Sequence, residues 1–121
     1  MFAIQEALNE ADMQRKLLEN LGFSVTTSTE CVGDAINRII ERISNAEISV
    51  DYVDMYVLRL NVDRWDKWVG NCKIYLIGND TCLVTVTLET SIISDEVINK
   101  LMLLGYRKDG SNWLEYKETI K

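Results

Sequence analysis

The sequence predicts a single α+β domain: an antiparallel β-sheet with about three packing helices, two of them N-terminal. Three observations carry this reading. Apolar residues recur at helical spacing in two N-terminal stretches, β-branched and aromatic residues take over from Ile48, and a third amphipathic stretch follows Ser94. The 121 residues suit one domain, and with no proline and no glycine-serine stretch there is no candidate boundary.

Ile4, Ala7, Leu8, Ala11, Leu18 and Leu21 follow helical spacing, with Glu6, Glu10, Asp12, Arg15, Lys16 and Glu19 mostly elsewhere on the cylinder. Gly22 ends this helix, since glycine takes the left-handed closing position without a Cβ penalty, and Phe23-Ser24-Val25 leaves as an extended segment. Ser28 or Thr29 can cap a second helix whose buried stripe is Val32, Ala35, Ile36, Ile39, Ile40 and Ile43. Its other side, Asp34, Asn37, Arg38, Glu41 and Arg42, reads as a solvated face.

Ile48 to Val62 favours one long strand, bulged or split near Asp54, with Asp51 and Arg59 as charged exceptions. Asn61 to Asn71 reads as a connection or short helical turn before Lys73 to Ile77 and Thr81 to Leu88, two strands joined by Gly78-Asn79-Asp80. Cys82, Val84, Val86 and Leu88 alternate with Leu83, Thr85 and Thr87, so one face of that strand meets the core. Ser94 caps the third helix, with Asp95 and Glu96 in its first turn and Val97, Ile98, Leu101, Met102 and Leu104 inside. Gly105 closes it. Tyr106 to Lys108 and Asn112 to Lys117 form two short strands around Asp109-Gly110-Ser111, and the tail after Lys117 is expected to fray.

Composition narrows the chemistry. The chain has no histidine, which removes imidazole-based triads, histidine zinc ligands and histidine phosphotransfer. With 13 Lys and Arg against 19 Asp and Glu, its net charge of −6 disfavours duplex nucleic acid, while a small anion needs only a few placed cations. Cys31, Cys72 and Cys82 form no CxxC pair and read as reduced thiols. No window approaches a membrane span, and Met1-Phe2-Ala3-Ile4-Gln5-Glu6 lacks the pattern of an export signal, so a cytoplasmic location is expected. Gly78, Gly105 and Gly110 stand singly, so neither common phosphate-cradling loop is present.

Two aromatic sets sit beside cations. Trp65 and Trp68 flank Lys67 after Arg64, and Tyr106, Arg107, Asn112, Trp113 and Tyr116 lie on the terminal hairpin. Either set can stack a base and neutralise a phosphate, or anchor a core or subunit interface. The carboxylates Asp51, Asp54, Asp63 and Asp66 are dense enough for a general acid and base pair, though a solvated acidic rim is the simpler reading.

The order helix, Thr29-Glu30-Cys31-Val32-Gly33-Asp34-Ala35-Ile36-Asn37-Arg38, long aromatic strand, Trp65-x-x-Trp68, Tyr75-Leu76-Ile77-Gly78-Asn79 hairpin and Leu104-Gly105-Tyr106 ending resembles the first family of phage Thoeris anti-defence proteins over nearly the whole chain. That resemblance implies a non-enzymatic sponge without a cofactor or metal, working in the cytoplasm of the infected bacterial host. It would trap cyclic ADP-ribose signals made by bacterial TIR enzymes, and cyclic oligonucleotides in some members, without cleaving them. It also implies a homo-oligomer, a dimer or a hexamer built from dimers, with pockets between subunits. Chemistry alone nominates the ligand-binding residues: Arg59, Arg64 and Arg107 for pyrophosphate, Trp65, Trp68, Tyr106 and Trp113 for adenine, and Asn112 for ribose hydroxyls. Two competing expectations stand beside the sponge: a protein-interaction module docking through the Trp65/Trp68 surface, and a small hydrolase using paired carboxylates.

Overall fold

A computed structural model describes residues 2–28 and 31–121. The elements run α1 (Phe2–Asn20), β1 (Ser24–Thr27), α2 (Val32–Ser44), β2 (Val50–Val62), β3 (Trp65–Ile77), β4 (Thr81–Glu89), α3 (Asp95–Leu103), β5 (Arg107–Lys108) and β6 (Trp113–Ile120). All strand pairs are antiparallel, in the order β1-β2-β3-β4-β6-β5, which is the α+β architecture the sequence predicts.

Helix α1 lies across the sheet on a seam of Ala3, Ala7 and Ala11, all buried, with Leu18 filling the far end. Alanines at successive turns let a helix backbone approach a sheet closely, and here that approach buries polar groups as well. Gln14 is buried, and Tyr56 donates its hydroxyl to the Ala11 carbonyl at 2.7 Å. Helix α2 packs beside it through Ala35, Ile36 and Ile39, and Arg42 reaches Asp51 of β2 at 3.8 Å. The sheet answers with one buried row set: Val53, Tyr56 and Leu58 from β2, Cys72, Ile74 and Leu76 from β3, Cys82, Val84, Val86 and Leu88 from β4, and Leu114 from β6.

Both helix exits form as the paired glycines imply. Gly22 has φ 101° and Gly105 φ 102°, and the following N–H groups of Phe23 and Tyr106 return to the carbonyls of Leu18 and Leu101, each at 3.1 Å. The Ser94 cap is present, its hydroxyl accepting the Val97 N–H at 3.3 Å. The bulge expected near Asp54 is a register shift between Asp54 and Tyr56. It returns Tyr56 and Leu58 to the same face as Asp51 and Val53.

Four local expectations need correction. Cys31, not Ser28, occupies the N-cap of α2 and gives no side-chain cap, while Thr29 lies outside the described residues. The stretch from Asn61 to Asn71 is no helical turn: β2 and β3 form one hairpin whose turn, Asp63-Arg64, has φ 52° and 72°. Two successive positive φ values match the twist of a tight hairpin, a geometry usually signalled by Asn-Gly or Asp-Gly, so Asp-Arg conceals it. Tyr106 falls outside the strand predicted for it. The tail past Lys117 stays paired, with Thr119 opposite Leu83 and Ile120 opposite Cys82.

Candidate functional site

The sheet face opposite α1 and α2 carries the candidate site. Away from the register shifts, strand alternation places on that face the residues adjacent to core positions, so its rows read across strands. One row runs Thr26, Val57, Asn71, Thr87, Glu115 and Arg107; the row beyond it holds Ser24, Arg59 and Trp68, with Glu89 paired to Trp113.

Trp68 is on this face because of a second register shift, between Leu58 and Arg59. Gly70, Cys72 and Ile74 pair with Leu58, Tyr56 and Val53 on the helix side, so uninterrupted alternation would have aimed Trp68 there too. The shift skips Val69 and sets Trp68 opposite Arg59. Gly70 makes the approach possible: a Cβ built there would stand 1.9 Å from the Thr87 carbonyl oxygen. Trp68 then meets Trp113 edge-to-face, with ring centroids 6.3 Å apart and planes at 66°. Both indoles are exposed, at 46% and 39%.

Beside Arg59 lies a hollow of ≈ 360 Å³ bounded by Thr26, Ser28, Asp54, Val57 and Asn71. The Arg59 guanidinium donates to the Thr26 hydroxyl at 3.4 Å and stands 4.0 Å from the Asp66 carboxylate, two loose contacts that leave most of its fork free. The Asn71 carbonyl oxygen already accepts the Thr87 hydroxyl at 3.0 Å, so its amide N–H groups are what it can offer a ligand. A cation, an amide and hydroxyls suit one anionic group, and Asp54 on the same wall disfavours a second.

The remaining nominated residues go elsewhere. Arg64 and Trp65 sit at the tip of the β2–β3 hairpin, with Trp65 71% exposed. Arg107 bonds the carbonyls of Met102 at 3.3 Å and Tyr106 at 3.0 Å, closing the C-terminal end of α3. Asn112 is exposed, and its backbone carbonyl accepts the Thr90 N–H at 2.8 Å. Tyr106 is fully buried and therefore no ligand-facing residue in this chain: its hydroxyl donates to Gln14 at 2.9 Å and its ring lies 5.3 Å from that of Tyr116. Gln14 donates in turn to Glu10, which also accepts the Tyr116 hydroxyl, tying α1 to the sheet. Burial holds the phenols of Tyr56 and Tyr106 above the usual range and pushes the Cys72 thiol up to about 12.

The four aspartates do not converge. Asp51 faces Arg42, Asp54 lines the Arg59 hollow, Asp63 is in the hairpin turn and Asp66 lies by Arg59. Thr26 and Asn71 were missed from sequence, because short polar residues in strands acquire meaning only once register sets them beside Arg59. Among the described residues no group of three or more Cys, Asp or Glu could hold a metal ion, and no helix is long and apolar enough to cross a membrane. No protein-family model, no curated protein and no solved structure matches this chain.

Proposed function

We propose that this protein captures a small, base-bearing nucleotide without transforming it, and that the nucleotide is a cyclic ADP-ribose-type signal of the kind its sequence resemblance implies. The observation that carries the reading is the pairing of Arg59 with Trp68 in register, with Trp113 against Trp68. A cation beside two aromatic rings on the face opposite α1 and α2 matches a ligand that joins phosphate to a flat base. Arg59, Thr26 and Asn71 bind the phosphate, and Trp68 and Trp113 stack the adenine. No residue is assigned a bond-making role.

As a sponge, the protein acts by affinity: free signal falls only while sites outnumber molecules, and a nanomolar constant corresponds to about −12 kcal/mol. A site this open reaches such affinity when a second subunit covers it, which is why a homo-oligomer belongs to the proposal. Thermal shift with cyclic ADP-ribose isomers and cyclic oligonucleotides tests it, because a ligand of the folded state raises Tm with concentration. Heating the loaded protein returns intact ligand; a silent panel, or a cleaved product, rejects the reading. The 71% exposed Trp65 at the hairpin tip favours a second reading, docking to a partner protein, and a silent panel would leave that one standing.

A further inference from the structure

The geometry points to a second binding site for a hydroxyl-bearing sugar ring, in the ≈ 490 Å³ hollow between α3 and the β5–β6 hairpin, which borders the Arg59 face through Trp113. One wall is helical: Asp95, Ile98 and Asn99, at i, i+3 and i+4, share a face of α3. The other wall is the hairpin, which contributes Lys108, Ser111 and Trp113. Both walls are fixed before any ligand arrives. The Ser94 cap holds the first turn of α3, the Thr90 N–H binds the Asn112 carbonyl at 2.8 Å, and the Asp109 N–H binds the Trp113 carbonyl at 2.9 Å.

The polar side chains of this hollow are idle. Asp95, Asn99, Lys108 and Ser111 make no side-chain hydrogen bond or ion pair among the described residues, and Asp95 and Lys108 stay more than 4.0 Å apart although their charges are opposite. Lys108 also borders a second, smaller hollow, where the other cations are engaged: Arg107 is spent on backbone carbonyls and Lys117 on Glu115 at 2.8 Å.

The idle set comprises an acceptor-only carboxylate, a donor-only ammonium, and an amide and a hydroxyl that do both. A sugar hydroxyl donates and accepts at once, so a polyhydroxylated ring can use all four groups. Each such hydrogen bond is exchanged against one to water, so its net contribution is modest and the expected affinity is weak. Trp113 supplies the flat wall on which the C–H face of such a ring packs, with Ile98 beneath. A zwitterion such as a free amino acid would engage only Asp95 and Lys108, in a setting where each pair is screened. The ring could come from a free saccharide or be the ribose of a nucleoside, and the test separates these sources.

The experiment is a ¹⁵N-labelled titration of the intact protein with D-ribose, D-glucose, adenosine and glycine, read at the Asn99 side-chain amide and the Ser111 backbone N–H, neither of which belongs to the nucleotide site. Millimolar binding of a sugar is expected to shift both signals. Shifts with D-ribose or D-glucose identify a free saccharide; shifts with adenosine only identify a riboside. Asp95→Asn and Asn99→Ala each weaken binding at least tenfold, and Asp95→Asn leaves the Ser94 cap in place. Arg59→Ala, which abolishes nucleotide capture under the proposed function, leaves sugar binding here unchanged, so the two ideas fail separately. The site is refuted if neither sugar nor adenosine moves the Asn99 amide, if glycine moves it and the sugars do not, or if Asn99→Ala binds as tightly as the parent.

Discussion

Raising the pH above 9 should destabilise this protein through a thiol. Cys72 is fully buried beneath α1, and burial pushes its pKa from 9.0 to about 12. Below pH 9 both folded and unfolded chains hold the proton, so the group is neutral to stability there. Above it the unfolded chain releases the proton and the folded chain does not, so stability falls until the pH passes 12. Three pH units correspond to about 4 kcal/mol over the whole interval, of which about 2 kcal/mol is lost by pH 10.5. That is a large share of a typical domain stability of about 5–15 kcal/mol. The assay is urea unfolding followed by far-UV circular dichroism from pH 7.5 to 10.5 at fixed ionic strength, for the parent and Cys72→Ala. Tyr56, Tyr106 and Cys82 are shifted in the same direction in both proteins, chiefly by burial; Cys72 also helps raise the two tyrosines, so the difference between the proteins reports Cys72 together with its coupling to them. The variant starts less stable by about 1 kcal/mol, for the lost packing, and the gap closes or inverts by pH 10.5. Parallel losses in the two proteins, or a native Cys72 that reacts with a thiol reagent at pH 8, would show the reasoning to be wrong.

Three further outcomes follow from the geometry. Tyr106→Phe leaves the buried Gln14 carbonyl oxygen without its 2.9 Å donor and costs about 1–3 kcal/mol by urea titration, while a change under about 0.5 kcal/mol would mean the network is dispensable. Gly70→Ala drives a methyl into the Thr87 carbonyl 1.9 Å away and forces β3 from β4; a loss of about 3 kcal/mol or more is expected, and a stable, native-like spectrum would contradict the close approach. Ser94→Ala removes the cap of α3 at a cost of about 1 kcal/mol, and hydrogen exchange at Val97 should quicken with it.

Much of the fold was legible because it rests on local rules. The stripe Ala7, Ala11 and Leu18, the exits at Gly22 and Gly105, the Ser94 cap and the alternation from Cys82 to Leu88 each follow from periodicity or from one residue's conformational freedom, and each formed as read. The Asp63-Arg64 turn escaped notice because tertiary pairing of two thirteen-residue strands imposed left-handed backbone on residues that rarely choose it. The tail after Lys117 reads from sequence as fraying, yet β4 offered Thr119 and Ile120 an edge to pair with.

By itself the sequence determined the three helices, most of the strands and their order, and the inward alternation of β4, since these depend on neighbours two to four residues away. It also determined the available chemistry: arginines and indoles without a histidine. Only the tertiary structure decided which of those side chains meet. One skipped residue at Val69 turned Trp68 toward Arg59 and Trp113, a phase change that spacing along β3 cannot reveal. Tyr106, equal to its neighbours in composition, was drawn into the core because α1 carries Gln14 at the height of its hydroxyl. A binding face is a property of register between distant segments, and register is fixed only when the helices have chosen which side of the sheet to bury.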